Sequence, residues 1–397
     1  MNGEEDKSYL YLGYLYLGAV RIAFVTHYTE LYGANRSLLC LIDGLQSYSV
    51  KSHVIAPEQG PITEELSERD IPFCTVPFKR WMSKNQWKAP ARLGMNLGVL
   101  PLLVRKFHQW DVDLIHTNSS VTPIGALLGE VLALPHTWHV REFGDRDYGL
   151  HHDWGKCLFR KFVSRADASI AVSRAVRQHV LTDVDTPCYV VYNGVVSQDR
   201  LEQMGRAARA EKDDFSPPYT FTIVGKISPA KGQEQALQAM RHLAREGKEV
   251  RLLVAGSGAE EHVESLRELC QALDLERKVS LLGYVSDPFE VYHRADAVLM
   301  CSPHEAMGRV TAEAMAAVRP VIGYNSDGTA ELIDDGHNGL LYDGTTEHLA
   351  RCMGRFVNNP HWSRSLGQNA WEQARREYTN QVYARQMYNV LSEVSCR

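Results

Sequence analysis

The chain has 397 residues, 43 of them Lys or Arg and 48 Asp or Glu, for a net charge of −5, with 44% apolar and 23% charged residues. That length predicts two or three domains, and the composition is globular rather than disordered or collagen-like. The acidic balance argues against a general nucleic-acid binder, and no apolar run approaches the ~20 residues that span a bilayer.

Residues 1–19 repeat Tyr-Leu-Tyr-Leu-Gly in tandem and lack the basic start and cleavage site of a signal peptide. They are expected to be an extension or tag foreign to the fold, with a membrane-touching or strand-forming arm as the alternative. From Val20 short apolar runs alternate with amphipathic stretches, as βα units do. Arg21–Thr26 reads as a strand, Gly33–Asn35 as a turn, Arg36–Leu45 as a helix, Ser52–Ala56 as a strand and Ile62–Arg69 as a helix. Strands are then expected at Leu114–His116, His136–Val140, Ala168–Val172 and Tyr189–Tyr192, the last stopped by Asn193-Gly194. A polar helical stretch, Asp199–Asp213, and Ser216-Pro217-Pro218 divide the chain. Beyond them strands are predicted at Thr220–Val224, Val250–Ala255, Val279–Leu282, Ala297–Met300 and Pro320–Gly323, with helices at Gly232–Glu246, Glu260–Leu273 and Thr311–Ala316.

The expected class is α/β: two Rossmann-like parallel-sheet domains, residues 20–200 and 219–375, joined by a linker at 201–218 and facing across a cleft. Ligands in such sheets bind at the carboxyl ends of the strands. Eight scattered cysteines form no C-x-x-C pair, which argues against a zinc site or a disulfide framework and for reduced thiols in a cytosol.

Two features carry chemistry. Lys226 follows a strand, and Lys231-Gly232 opens the next helix, so two ammonium groups and a helix N-terminus meet on one loop, as a diphosphate requires. A lysine and glycine at a helix start are, taken alone, more often a solvated cap. Glu305 and Glu313 stand eight apart, one in a loop after a strand and one in the following helix. Carboxylates so placed can accept hydrogen bonds from sugar and ribose hydroxyls, although a helix start rich in Glu has the same look.

The Glu305-x7-Glu313 pair, followed by Pro320-Val321-Ile322 and Gly328-Thr329-Ala330-Glu331, resembles retaining glycosyltransferases of group 1, glycosyltransferase family 4. Gly225 to Gly232, Ala255-Gly256-Ser257-Gly258, Leu282-Gly283-Tyr284-Val285, the glycine loop at Gly33, the segment from Trp138 to Phe143, and Tyr192-Asn193-Gly194 fit in the family's order. The resemblance implies a GT-B fold and sugar transfer from a nucleotide-sugar donor of UDP or GDP type, with retention and without a cofactor or metal. It assigns Lys226 and Lys231 to the leaving diphosphate, Glu305 to donor-sugar hydroxyls, Glu313 to the ribose, and His139 to the donor sugar from the other domain. Gly33 would let backbone approach the donor or acceptor, Gly283 and Tyr284 would meet the base, and Gly225, Met307, Gly308 and Arg309 line the same loops. It also implies that helices at 376–397 cross back to the first domain, and that the acceptor is a saccharide or is lipid-linked, in cell-surface polysaccharide assembly. Lys226 stands where the family has Arg, Val318 and Asp327 where it has glycine, and Met307 where Phe is common; Asp327 adds negative charge near the diphosphate path.

Other readings remain. Asp145-Arg146-Asp147 spells a metal-binding D-x-D but is expected to be a surface loop, and Gly256-Ser257-Gly258 lacks the third glycine of a dinucleotide fingerprint. His116, His151 and His152 are expected to be structural or surface residues. Residues 79–92 hold five basic residues, no acid and two tryptophans, which suits either a peripheral contact with an anionic membrane or a solvated loop lining the acceptor cleft. The expected location is cytoplasmic, with peripheral attachment to the membrane's cytoplasmic face as an extension of that reading. A sugar-nucleotide epimerase and a catalytically weakened nucleotide-sugar-binding homologue stay open as alternatives.

Overall fold

The computed structural model describes residues 20–210 and 215–395. The expected extension at 1–19, residues 211–214 of the polar stretch, and Cys396 lie outside the described residues.

The first half contributes β1 (Arg21–Val25), β2 (Lys51–Ala56), β3 (Phe73–Thr75), β4 (Met82–Ser83), β5 (Leu114–Thr117), β6 (His136–Val140), β7 (His151–His152), β8 (Ala168–Ala171) and β9 (Cys188–Val190). Among the described residues these make a seven-stranded parallel sheet in the order β3-β2-β1-β5-β6-β8-β9, with β4 and β7 paired as a small antiparallel ribbon. The second half contributes β10 (Tyr219–Val224), β11 (Val250–Ala255), β12 (Val279–Gly283), β13 (Ala297–Met300), β14 (Val321–Tyr324) and β15 (Gly339–Tyr342), ordered β12-β11-β10-β13-β14-β15 and all parallel. Central strands such as β1 and β13 are largely apolar because helices cover both faces of such a sheet. In β1 only Arg21 escapes burial, and β6 is buried throughout.

Helix Asn380–Ser395 packs Tyr383, Met387, Val390 and Leu391 against Leu38, Leu41 and Ile42 of helix Gly33–Leu45, so the end of the chain rests on the first half. Helix Gln198–Ala210 lies at the division between the halves and buries Leu201 and Met204. Its Leu201 carbonyl accepts a 3.0 Å hydrogen bond from Trp371 Nε1, and a Cβ on Gly205 would come within 2.5 Å of the Trp371 ring, which is why a glycine stands there. One buried cluster runs from Trp138 through Val195 and Met307 to Trp371 and Tyr378, so the two halves share a core.

Residues 79–92 are only partly a loop. They end inside helix Ala89–Trp110, whose 22 residues include Pro101. Trp81 is not at the surface: it is buried, stacks on Trp138 at 5.6 Å and donates to the Ser120 carbonyl at 2.7 Å.

Candidate active site

The loops after β10, β11, β12, β13 and β14 meet at one end of the second sheet. Beyond β10, Gly225 has φ 147° and Gly256, beyond β11, has φ 151°, and a Cβ on Gly256 would lie 1.8 Å from the Gly225 carbonyl oxygen. The loops continue side by side, bridging at Ile227 and Gly258. Gly256-Ser257-Gly258 therefore serves close loop packing. The turn Pro229–Lys231 then delivers Lys231 to Glu305, and the ammonium pairs directly with Glu305 Oε1. Lys226 is exposed, and its carbonyl is held by Gln233 Nε2 at 3.0 Å.

Gly308, at φ 76°, turns the chain into helix Arg309–Ala316. Glu313 on that helix is buried with both oxygens engaged, one by Arg309 Nε at 2.7 Å and one by the Tyr292 hydroxyl at 3.0 Å. Any further donor reaching Glu313 must therefore share it with Arg309 and Tyr292. Arg309 also reaches the first half, donating to Ser37 Oγ at 3.0 Å and to the Gly194 carbonyl at 3.4 Å, and its Cδ lies 4.0 Å from where a Cβ on Gly33 would be. Met307 is buried, its sulfur 3.2 Å from the Asn193 amide. Gly283 has φ 71° with open space around it, and the exposed Tyr284 hydroxyl accepts from Arg36 at 3.4 Å. The structure thus gathers Gly33, Gly283, Tyr284, Met307, Gly308, Arg309 and Glu313 along the seam, and Gly225, Lys226, Lys231 and Glu305 beside it.

His139 does not join them. It is fully buried in β6, 5.6 Å from the His116 ring, with neither nitrogen hydrogen-bonded. Burial pushes its pKa well below the usual imidazole range, with the positive charge of Arg141 adding to the effect. The polar ends of this region are Arg141 and Glu142, past the strand. Arg141 bonds Asn118 at 2.9 Å and the Tyr383 hydroxyl at 2.7 Å. Glu142 Oε1 accepts from Ser119 Oγ at 2.8 Å and from Ser120 N and Oγ at 2.7 and 2.6 Å, yet burial still pushes its pKa up to about 6. The position of Glu142, two residues past a strand's carboxyl end, was the signal that could have found it.

The D-x-D residues form a helical turn, Asp145–Tyr148, rather than a free loop. Asp145 is taken by Lys156 at 2.8 Å and His179 at 2.9 Å, which hold its pKa down to about 2 against burial, and Asp147 caps the turn through the amides of Phe143 and Gly144. Arg146 crosses the seam to Asp327 at 3.2 Å, and His304 Nδ1 lies 2.8 Å from the same carboxylate. The charge that Asp327 adds is therefore matched. Val318 and Asp327 both occupy left-handed backbone, at φ 61° and 48°, which is the physical reason glycine is usual at such positions.

Two family models match this chain, "Glycosyltransferase Family 4" over residues 32–198 and "Glycosyl transferases group 1" over residues 206–373. The chain belongs to the group 1 glycosyltransferases. The capsular polysaccharide biosynthesis glycosyltransferase CapM of Staphylococcus aureus is 26% identical over 379 residues, 89% of this chain and 93% of CapM. The alpha-monoglucosyldiacylglycerol synthase of Streptococcus pneumoniae is 24% identical over 69% of this chain and 66% of its own. Among solved structures, Anabaena HepE in complex with UDP superposes with a TM-score of 0.77 at 20% identity, covering 94% of this transferase and all of HepE. Sucrose-phosphate synthase of Thermosynechococcus elongatus gives 0.72 at 18% identity over 95% and 99% of the two chains. The transferase has the GT-B fold.

Proposed function

We propose that this transferase moves a sugar, with retention at the anomeric carbon, from a nucleotide-sugar donor of UDP or GDP type to a saccharide or lipid-linked acceptor in cell-surface polysaccharide synthesis. The observation that carries the reading is the Lys231–Glu305 pair beside glycine-lined loops and a helix N-terminus. The anomeric C–O bond to the diphosphate breaks as the bond to the acceptor oxygen forms on the same face, and the acceptor's proton passes to the departing phosphate oxygen. Lys231, Lys226 and the helix amides stabilise the charge that builds on the diphosphate, the electrostatic contribution that is usually largest. Those cations fill the role a divalent metal plays elsewhere. Glu305 holds the donor sugar and Glu313 the ribose, while the turn at Asp145–Tyr148 and Glu142 face the acceptor.

The UDP bound to HepE and the names of CapM and the diacylglycerol synthase support donor and acceptor classes of this kind. The pairing of Asp327 with Arg146 and His304 favours an active enzyme over a weakened homologue. Where the protein works is part of the proposal: it uses cytoplasmic nucleotide sugars. Thermal shift with UDP-, GDP-, ADP-, dTDP- and CMP-sugars is expected to single out one class, with NAD inert. The anomer of the product, read by proton NMR, is expected to match the donor, and inversion would sink the mechanism. Lys231→Ala is expected to lower turnover by about 100- to 1,000-fold, and near-normal turnover would remove its role.

A further inference from the structure

Residues 71–110 contain no Asp or Glu and seven Lys or Arg, in a chain whose net charge is −5. Most of this basic stretch frames helix Ala89–Trp110, whose inner face buries Leu100, Leu103 and Phe107 beside Ile115 and Leu128. Its outer face is not polar. Leu93, Met95, Leu97 and Leu102 are exposed there, the last by 57%, and Trp87 just ahead of the helix is 73% exposed. Gly94 and Gly98 lie on the same side with nothing near them. Several large apolar side chains left bare on one helix mark an interaction site.

We propose that this helix face docks the enzyme on an anionic lipid bilayer, with Trp87, Leu97 and Leu102 entering the interface and Lys84, Lys88 and Arg105 lying against the headgroups. The charge argues for that occupant: the three cations are exposed in the same acid-free stretch, and Lys88 stands 5.0 Å over the Trp87 ring. A second copy meeting the first through this face would bring two acid-free basic surfaces together, and like charges oppose it. An anionic bilayer accepts both the apolar strip and the basic frame.

The docked face adjoins the cleft. Asn96 of the helix holds Lys79 through its amide at 2.7 Å and its carbonyl at 3.0 Å, and this segment leads into β4. The β4–β7 ribbon borders a cavity of about 240 Å³ lined by Met82, Gln86, Phe143, His152 and Phe159. The turn Asp145–Tyr148, which reaches Asp327, forms its far wall through Asp145. A lipid-linked acceptor held in the same bilayer meets the transferase at this rim.

Flotation of the full chain with vesicles of phosphatidylcholine alone, or with about a third phosphatidylglycerol, tests the proposal without reference to activity. The chain is expected to favour the anionic vesicles by ~100-fold at low salt, with the preference fading as salt rises. Leu97→Glu with Leu102→Glu is expected to abolish flotation while leaving the melting temperature unchanged, and Lys84→Gln with Lys88→Gln and Arg105→Gln to lose the preference for anionic lipid. Equal flotation of parent and Leu97→Glu/Leu102→Glu overturns the proposal. So does a parent dimer in sedimentation that the same substitutions split, since the face then serves a second copy.

Discussion

Glu142 has three donors on one oxygen, and its burial is not fully offset by them. Its pKa rises from an ordinary 4.5 to about 6, so folding favours the protonated form. The associated stability is present below about pH 4.5 and is lost as pH rises through 6, leaving a deficit of about 2 kcal/mol near neutrality. Glutamine keeps an acceptor for Ser119 and Ser120 and carries no charge. Glu142→Gln is therefore expected to melt a few degrees above the parent at pH 8, with the gap closing towards pH 4.5. Melts across that range check it, and a gap independent of pH would mean that the carboxylate is not the source. His139 shows the limit of reading such sites from sequence. A histidine near the end of a strand can serve the cleft or the core, and in a strand buried on both faces, as β6 is, no alternation in the sequence separates the two.

Helix Ala89–Trp110 was not legible, whereas the central strands were. Strands buried on both faces read as apolar runs, and β10, β11 and β13 lie within a residue or so of where hydrophobicity put them. The helix hides because Pro90, Gly94, Gly98 and Pro101 look like breakers and its outer face is apolar, which erases the two-sided pattern that marks a surface helix. Its Asn96, 1% exposed, is the clamp that holds the basic segment. Asn96→Ala leaves the amide and carbonyl of Lys79 without partners, a cost of about 2 kcal/mol borne mainly by residues 79–83. Trypsin is expected to cut after Lys79 or Arg80 several-fold faster in that variant. An unchanged cleavage rate would show the segment is held elsewhere, with Trp81 and its bond to Ser120 as the alternative anchor.

At the scale of the whole molecule, the loops at the carboxyl ends of the second sheet and the seam between the halves are built from the same residues. Arg309 joins Glu313 to Ser37 and Gly194, Arg146 joins the turn Asp145–Tyr148 to Asp327, and Arg36 meets Tyr284. Apart from Arg309 and Glu313, one helical turn from each other, these partners lie more than a hundred residues apart, so no local pattern announces them. Glu331 belongs to the same seam. Its carboxylate accepts from the amides of Arg174 and Ala175, at the start of helix Arg174–Val180 in the first half, and from the Tyr192 hydroxyl at 2.9 Å. A charged cap supplied by the opposite half ties the helix's stability to the approach of the two sheets. Glu331→Ala removes about 1 kcal/mol of capping, all of it realised only when the halves meet. The variant is expected to show a larger radius of gyration by small-angle scattering without donor, and a KM for donor raised about fivefold with little change in kcat, because donor binding must then supply the closure that the cap supplied. Unchanged scattering with a lower melting temperature would instead confine Glu331 to stabilising helix Arg174–Val180.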